Sequence, residues 1–201
     1  MRILFAFLAI FLVSGGVALP ARADDQAAAP AAPDTPPPVM TKQARLDQLF
    51  SDLKRERNEK AAERIAGNIW GEWFQSGSAS IDLMMQWSQK AIESQKFDVA
   101  LDFLDQVVTL QPAYAEGWNR RATVHFMMKN YGKSMSDIDH TLRLEPRHFG
   151  ALSGLAQIMA LTGHKQSALE AWQKVLAIYP MMRSAQDQVA TLSEELAGEG
   201  I

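Results

Sequence analysis

The chain has 201 residues, 47% hydrophobic and 21% charged, with a formal net charge of -3 and no cysteine. That length suffices for one domain with a core. The mild acidity excludes a general attraction to nucleic acid or anionic lipid, and the missing cysteine excludes disulfides, thiolate metal sites and a cysteine nucleophile.

Residues 1–23 carry Arg2, an apolar run from Ile3 to Val13, small residues, and then Ala21, Arg22 and Ala23. This is the order of a secretory signal peptide, with cleavage expected after Ala23. The alternative is an uncleaved membrane anchor. Ser14, Gly15 and Gly16 interrupt the apolar run, which falls short of the roughly 20 residues a spanning helix needs. There is no cysteine for lipid attachment. The expectation is therefore a periplasmic protein with no membrane contact after signal cleavage. Cleavage removes Arg2 and Arg22 and no acid, moving the net charge from -3 to -5. Residues 24–40 are rich in Ala, Pro and Asp and have little to bury, which reads as a disordered Ala/Pro-rich linker.

From Thr41 the apolar period becomes helical. Leu46, Leu49, Phe50 and Leu53 share one face, and Thr41 is positioned to cap that helix. Ile65, Ala66, Ile69, Trp70, Trp73 and Phe74 form a heavier stripe, and residues 76–80 break it, with Ser80 able to cap the next helix. Residues 41–80 are thus an N-terminal helical hairpin. The basic run from Lys54 to Lys60 is interrupted by acids and reads as a solvated helix end.

Beyond residue 80 the pattern repeats. Pro112, Pro146 and Pro180 lie 34 residues apart and define units at 81–114, 115–148 and 149–180. Each unit holds two helices, expected over 81–94 and 97–110, 115–128 and 131–144, 149–162 and 165–178. Asn130 and Gly163 are placed to take left-handed backbone in the turns between partners. Position 8 of the unit is Ser88, Ala122 and Ala156, and position 20 is Ala100, Ser134 and Ala168. Small side chains there let antiparallel helices approach. Large residues alternate with them at position 4 (Met84, Trp118, Leu152) and position 24 (Leu104, Ile138, Trp172). Arg121 at position 7 is within reach of Asp137 or Asp139 on its partner helix. Residues 181–201 form a capping helix and tail, with Val189 and Leu192 inward and Arg183, Gln186, Asp187, Glu194 and Glu195 toward solvent.

Nothing in this pattern carries catalysis. Ser51 to Lys54 match S-x-x-K without the motifs that accompany it in enzymes. His125, His140, His148 and His164 fall in different phases of the repeat and lack metal-ligand spacing. No glycine-rich phosphate loop is present. The expectation is a non-enzyme with no catalytic, metal or cofactor site.

Trp118 at position 4, the small residues at positions 8 and 20 and the proline at position 32 resemble the tetratricopeptide repeat (TPR) family, of exported bacterial type. The resemblance covers residues 81–180 and reaches residues 47–80 as a degenerate front repeat, with Phe50, Ala66 and Trp70 at positions 4, 20 and 24. It departs from the family at position 11 (Ala91, His125, Met159) and position 27 (Val107, Thr141, Val175). The resemblance implies an all-α, right-handed superhelical solenoid of antiparallel hairpins. Its first helices would line a concave groove at positions 2, 5, 9, 12 and 13, with neighbouring positions contributing. Asp82, Met85, Gln89, Glu116, Asn119, Arg120, Thr123, Phe126, Met127, Ser153 and Gln157 are the candidate peptide-binding residues so placed, with Gly150 leaving room at one end. Of the places where some members clamp a C-terminal carboxylate, only Arg120 fits. Asp82 and Glu116 would repel an acidic peptide. The implied function is a protein-protein interaction module, an adaptor or assembly factor with a polypeptide partner. The alternatives are that these residues only solvate the face, or that the protein self-associates as a homo-oligomer through Trp70, Trp73 and Phe74.

Overall fold

A computed structural model describes residues 40–198. The expected signal peptide and nearly all of the expected linker lie outside the described residues, as do the last three residues of the tail. The described residues form helices and no strands: α1 (Lys42–Arg55), α2 (Glu59–Trp73), α3 (Ala79–Glu93), α4 (Phe97–Leu110), α5 (Ala115–Met127), α6 (Tyr131–Leu144), α7 (Phe149–Leu161), α8 (Lys165–Ile178) and α9 (Arg183–Gly198). None of these is long and apolar enough to cross a membrane.

Local chemistry sets most of the helix ends. Thr41 caps α1 by accepting the Ala44 amide at 3.2 Å, and Asn58 caps α2 in the same way through Ala61 at 3.0 Å. Ser80 does not cap α3. The helix begins at Ala79, and the Asp82 carboxylate accepts instead from the Ser76 amide at 2.9 Å. Within each repeat the first helix ends in one motif. The amides of Lys96, Asn130 and His164 bond back to the carbonyls of Ala91, His125 and Met159. The preceding residues, Gln95, Lys129 and Gly163, take positive φ. The left-handed residue of the middle repeat is therefore Lys129, and Asn130 follows it as the N-cap of α6.

Positions 8 and 20 are buried in all three repeats, where the two helices cross. The hydroxyl of Ser134 donates to the Ala122 carbonyl at 2.8 Å, so the polar atom at this crossing is satisfied. Arg121 makes its partner-helix contact with Asp137 through two bonds at 2.7 and 2.8 Å, and reaches Asp105 of the preceding repeat at 2.8 Å. At the C-terminal end α9 packs on α8, burying Ala185 and Leu192 and leaving Asp187, Glu194 and Glu195 exposed.

The N-terminal hairpin does not pack as a front repeat. Arg45 forks onto Glu72 at 2.9 and 3.1 Å, joining α1 to α2. The buried face of the pair (Leu46, Phe50, Leu53, Ile69, Trp73) belongs to one cluster with Phe149, Leu152, Trp172, Val175 and Tyr179 of the third repeat and with α9. The first repeat has a separate cluster of Ile81, Met84, Leu104 and Val107, joined by Val124 of α5. The five-residue break at 74–78 thus turns the hairpin away from the stacking face of α3 and onto the joints between repeats.

Candidate functional site

The inter-repeat joints hold the hairpin by polar as well as apolar contacts. At the first joint, Gln111 Nε2 donates to the Ser76 carbonyl at 2.8 Å. At the second, Arg147 bonds Asp47 at 2.7 Å and lies over the Phe50 ring at 4.2 Å from its centroid. The pairing with Arg147 holds the Asp47 carboxyl below its ordinary range. The third contributes Arg183, near Glu59 of α2 at 3.9 Å, and Tyr179, which shares the hairpin's apolar cluster.

His148 is the centre of this contact. Its ring stacks on Trp73 at 4.0 Å between centroids and 7° between planes, and it meets Trp70 edge-on. Its Nδ1 accepts the Ala151 amide at 3.1 Å, capping α7. The proton of the neutral ring therefore sits on Nε2, which faces Glu116 Oε2 at 3.2 Å. Glu116 also accepts from Asn119 at 2.9 Å and Arg120 at 3.2 Å. Arg120 in turn bonds Gln89 and lies over the Phe74 ring. A buried carboxylate is thus surrounded by three donors, as a charge removed from water requires. Burial, and then the Glu116 carboxylate, push the nearby Tyr114 hydroxyl up.

This arrangement corrects part of the expected groove. Glu116 and Ser153 are buried rather than presented to a ligand, and Met85 and Asn119, though largely buried, keep an edge on the open clefts. The Ser153 hydroxyl is spent on the Phe149 carbonyl at 2.7 Å. Glu116 is shut in because Trp73 and Phe74 lie over its partners His148 and Arg120. The room beside Gly150 is filled by Trp70, whose Cη2 is 2.7 Å from where a Cβ would stand. Trp70, Trp73 and Phe74, the stripe assigned to self-association, face their own chain. Only Phe74 remains exposed. The sequence-level reading missed His148 as a site residue. Its one trace was a bulky aromatic hairpin in the same chain as a bare Gly150.

Two clefts remain open along the first helices. One, of ≈ 680 Å³, is walled by Phe74, Asp82, Met85, Gln86, Gln89, Lys90, Glu93 and Arg120. The other, of ≈ 250 Å³, lies between α5 and α7 under Asn119, Thr123, Phe126, Met127 and Gln157, with Ala122, Ser134, Ile138, Ala151 and Gly154 as its floor. Glu116 and Ser153 line neither. Among the described residues no group of three or more His, Asp or Glu could hold a metal ion.

Helical hairpins repeated at a fixed interval, with clefts along the first helices, define an α-helical repeat protein. A TPR repeat-containing protein of Rhizobium etli is 59% identical over 154 residues, 77% of this chain and 76% of that protein. The chain belongs to the tetratricopeptide repeat-containing proteins. It is also 28% identical over 124 residues to the small glutamine-rich tetratricopeptide repeat-containing protein 2 of Saccharomyces cerevisiae, a match spanning 61% of this chain and 36% of that protein. Among solved structures, the first TPR domain of Spaghetti (RPAP3) bound to an HSP90 peptide shares the fold. Its TM-score is 0.56 at 20% identity, over 58% of this chain and 93% of that one. No protein-family model matches the chain.

Proposed function

We propose that this chain is an exported, periplasmic and non-enzymatic adaptor or assembly factor that holds an extended polypeptide along α3, α5 and α7. The open cleft between α5 and α7 carries this reading, because the hairpin leaves it free while covering the neighbouring joints. The peptide bound by the Spaghetti TPR domain supports a polypeptide as the ligand class.

The cleft chemistry narrows that class. Arg120 is neutralised by Glu116, and Asp82 and Glu93 offset Lys90 in the first cleft, so an acidic chain end meets no excess of positive charge there. The second cleft is uncharged. Ala122 and Ile138 form an apolar floor for one side chain, while Thr123 and Gln157 offer a hydroxyl and an amide at its wall to the backbone of an extended segment. Met127, exposed at the rim, adapts to varied apolar groups. The ligand is an uncharged stretch with an apolar anchor.

Photo-reactive side chains at Thr123 and Gln157, with Lys133 on α6 as control, test the groove in cells. One protein captured at both groove positions, and lost when Phe126→Glu is added, is the expected result. Capture no greater than at Lys133, or undiminished by Phe126→Glu, would contradict it. Export is checked on the same material: the mature chain should be recovered from the periplasmic fraction and begin at Asp24.

A further inference from the structure

The repeat register identifies a second surface, away from the groove, at the front of the first repeat. Positions 3 and 7 face the preceding repeat wherever one exists. At position 3, a Cβ on Gly117 would stand 2.7 Å from Val107 of α4, and Ala151 is buried in one cluster with Ile138 of α6. At position 7, Arg121 bonds Asp105 of α4 and Leu155 packs beside Leu142 of α6. Positions 19 and 23 join them. Lys133 and Asp137 share a cleft with Leu101 and Asp105 of the preceding helix.

In the first repeat those four positions are Leu83, Trp87, Val99 and Phe103. Leu83, Trp87 and Val99 are 42%, 42% and 43% exposed, and Trp87 touches Phe103 at 5.4 Å between centroids. The hairpin that would have covered them is docked on the joints instead. The cleft that Trp87, Val99 and Phe103 line, of ≈ 440 Å³, occupies the register in which Leu101 and Asp105 of α4 stand beside Arg121, Lys133 and Asp137 of the second repeat. A repeat array needs a polar cap at each end. The C-terminal end has one in α9, whereas the front end exposes an apolar stacking face.

The geometry points to a second copy of this chain as the occupant, in a two-fold dimer that packs α3 and α4 of one copy on α4 and α3 of the other. Stacking of this face on another copy's second helices is blocked, because α4, α6 and α8 are already covered by α5, α7 and α9. The face is instead complementary to itself. Its α3 side carries Leu83 and Trp87 and ends in Lys90, with Lys96 beyond the turn. Its α4 side carries Val99 and Phe103 flanked by Asp98 and Asp102. In a two-fold interface residue i meets j while j meets i, so each copy's lysines face the other's aspartates around an aromatic centre.

Sedimentation of the purified full-length protein tests this. The parent should dimerise, and Trp87→Glu should weaken the dimer by roughly thirty-fold or more, as removal of a central aromatic anchor does. Leu161→Glu, at an exposed apolar residue far along the array, should leave it unchanged. Charge reversal tests the pairing itself. The variants Lys90→Glu/Lys96→Glu and Asp98→Lys/Asp102→Lys should each weaken self-association by about tenfold, yet dimerise with one another when mixed. Helical circular dichroism confirms that each variant is folded. A parent that stays monomeric at every concentration overturns the proposal, as do a dimer indifferent to Trp87→Glu and a mixture that fails to restore association.

Discussion

Gly150 has no side chain because the indole of Trp70 lies where one would stand, 2.7 Å from the Cβ position. The residue is inside α7, where alanine would ordinarily gain about 0.5–1 kcal/mol over glycine. Overpacking against a rigid ring costs about 1–3 kcal/mol, so the steric effect wins. Gly150→Ala should therefore destabilise the protein, and amide exchange should quicken first in α1 and α2. Gly67 offers the internal comparison, being helical with nothing within 4 Å of its Cβ position. Gly67→Ala should stabilise by about 0.5–1 kcal/mol. Thermal melts of the two variants decide it, and equal shifts of one sign would contradict the packing argument. His148 shows the limit of reading residues singly. In sequence it is one of four unaligned histidines, and its cap, its stacking on Trp73 and its bond to Glu116 all depend on residues brought together by the fold.

At the scale of elements, the helices of the three repeats were legible because their signals are local and recur. Small residues at positions 8 and 20, prolines at the joints and a shared terminating motif fix each hairpin without reference to the rest of the chain. The α1–α2 hairpin was equally legible as a hairpin, since its apolar stripes and the Thr41 cap are local too. Its seat was not. Phe50, Ala66 and Trp70 match the repeat register, yet their buried faces meet α7 and α8 rather than α3. The helix that would have followed in register is displaced by the Ser- and Gly-containing break, where Gly77 has a φ of 85°. Glu116 lies outside the open clefts for the same reason. Positions that face open space in a bare array are covered here by an element of the same chain.

For the whole molecule, this docking changes the connectivity of the fold. A bare solenoid is held by neighbour-to-neighbour contacts and can fray repeat by repeat. Here α1 and α2 touch Arg147 with His148 at the second joint and Arg183 at the third, and the break after α2 bonds Gln111 at the first. That tie should make unfolding a single transition. In urea, circular dichroism and tryptophan fluorescence should give coincident curves for the parent. Trp73→Ala removes a buried ring worth about 3–5 kcal/mol. It should separate the two curves and flatten the slope as the hairpin leaves the array first. Coincident curves of unchanged slope in the variant would show that the hairpin is not a cooperative part of the fold. The amino-acid sequence by itself determined the helices, their pairing within repeats and the family, because these follow from periodicities only a few residues to 34 residues long. Only the tertiary structure decided where the N-terminal hairpin sits, and with it which clefts stay open and which apolar face is left bare. An apolar stripe states which side of a helix must be buried but not against what. That choice rests on contacts as distant as Asp47 with Arg147, 100 residues apart.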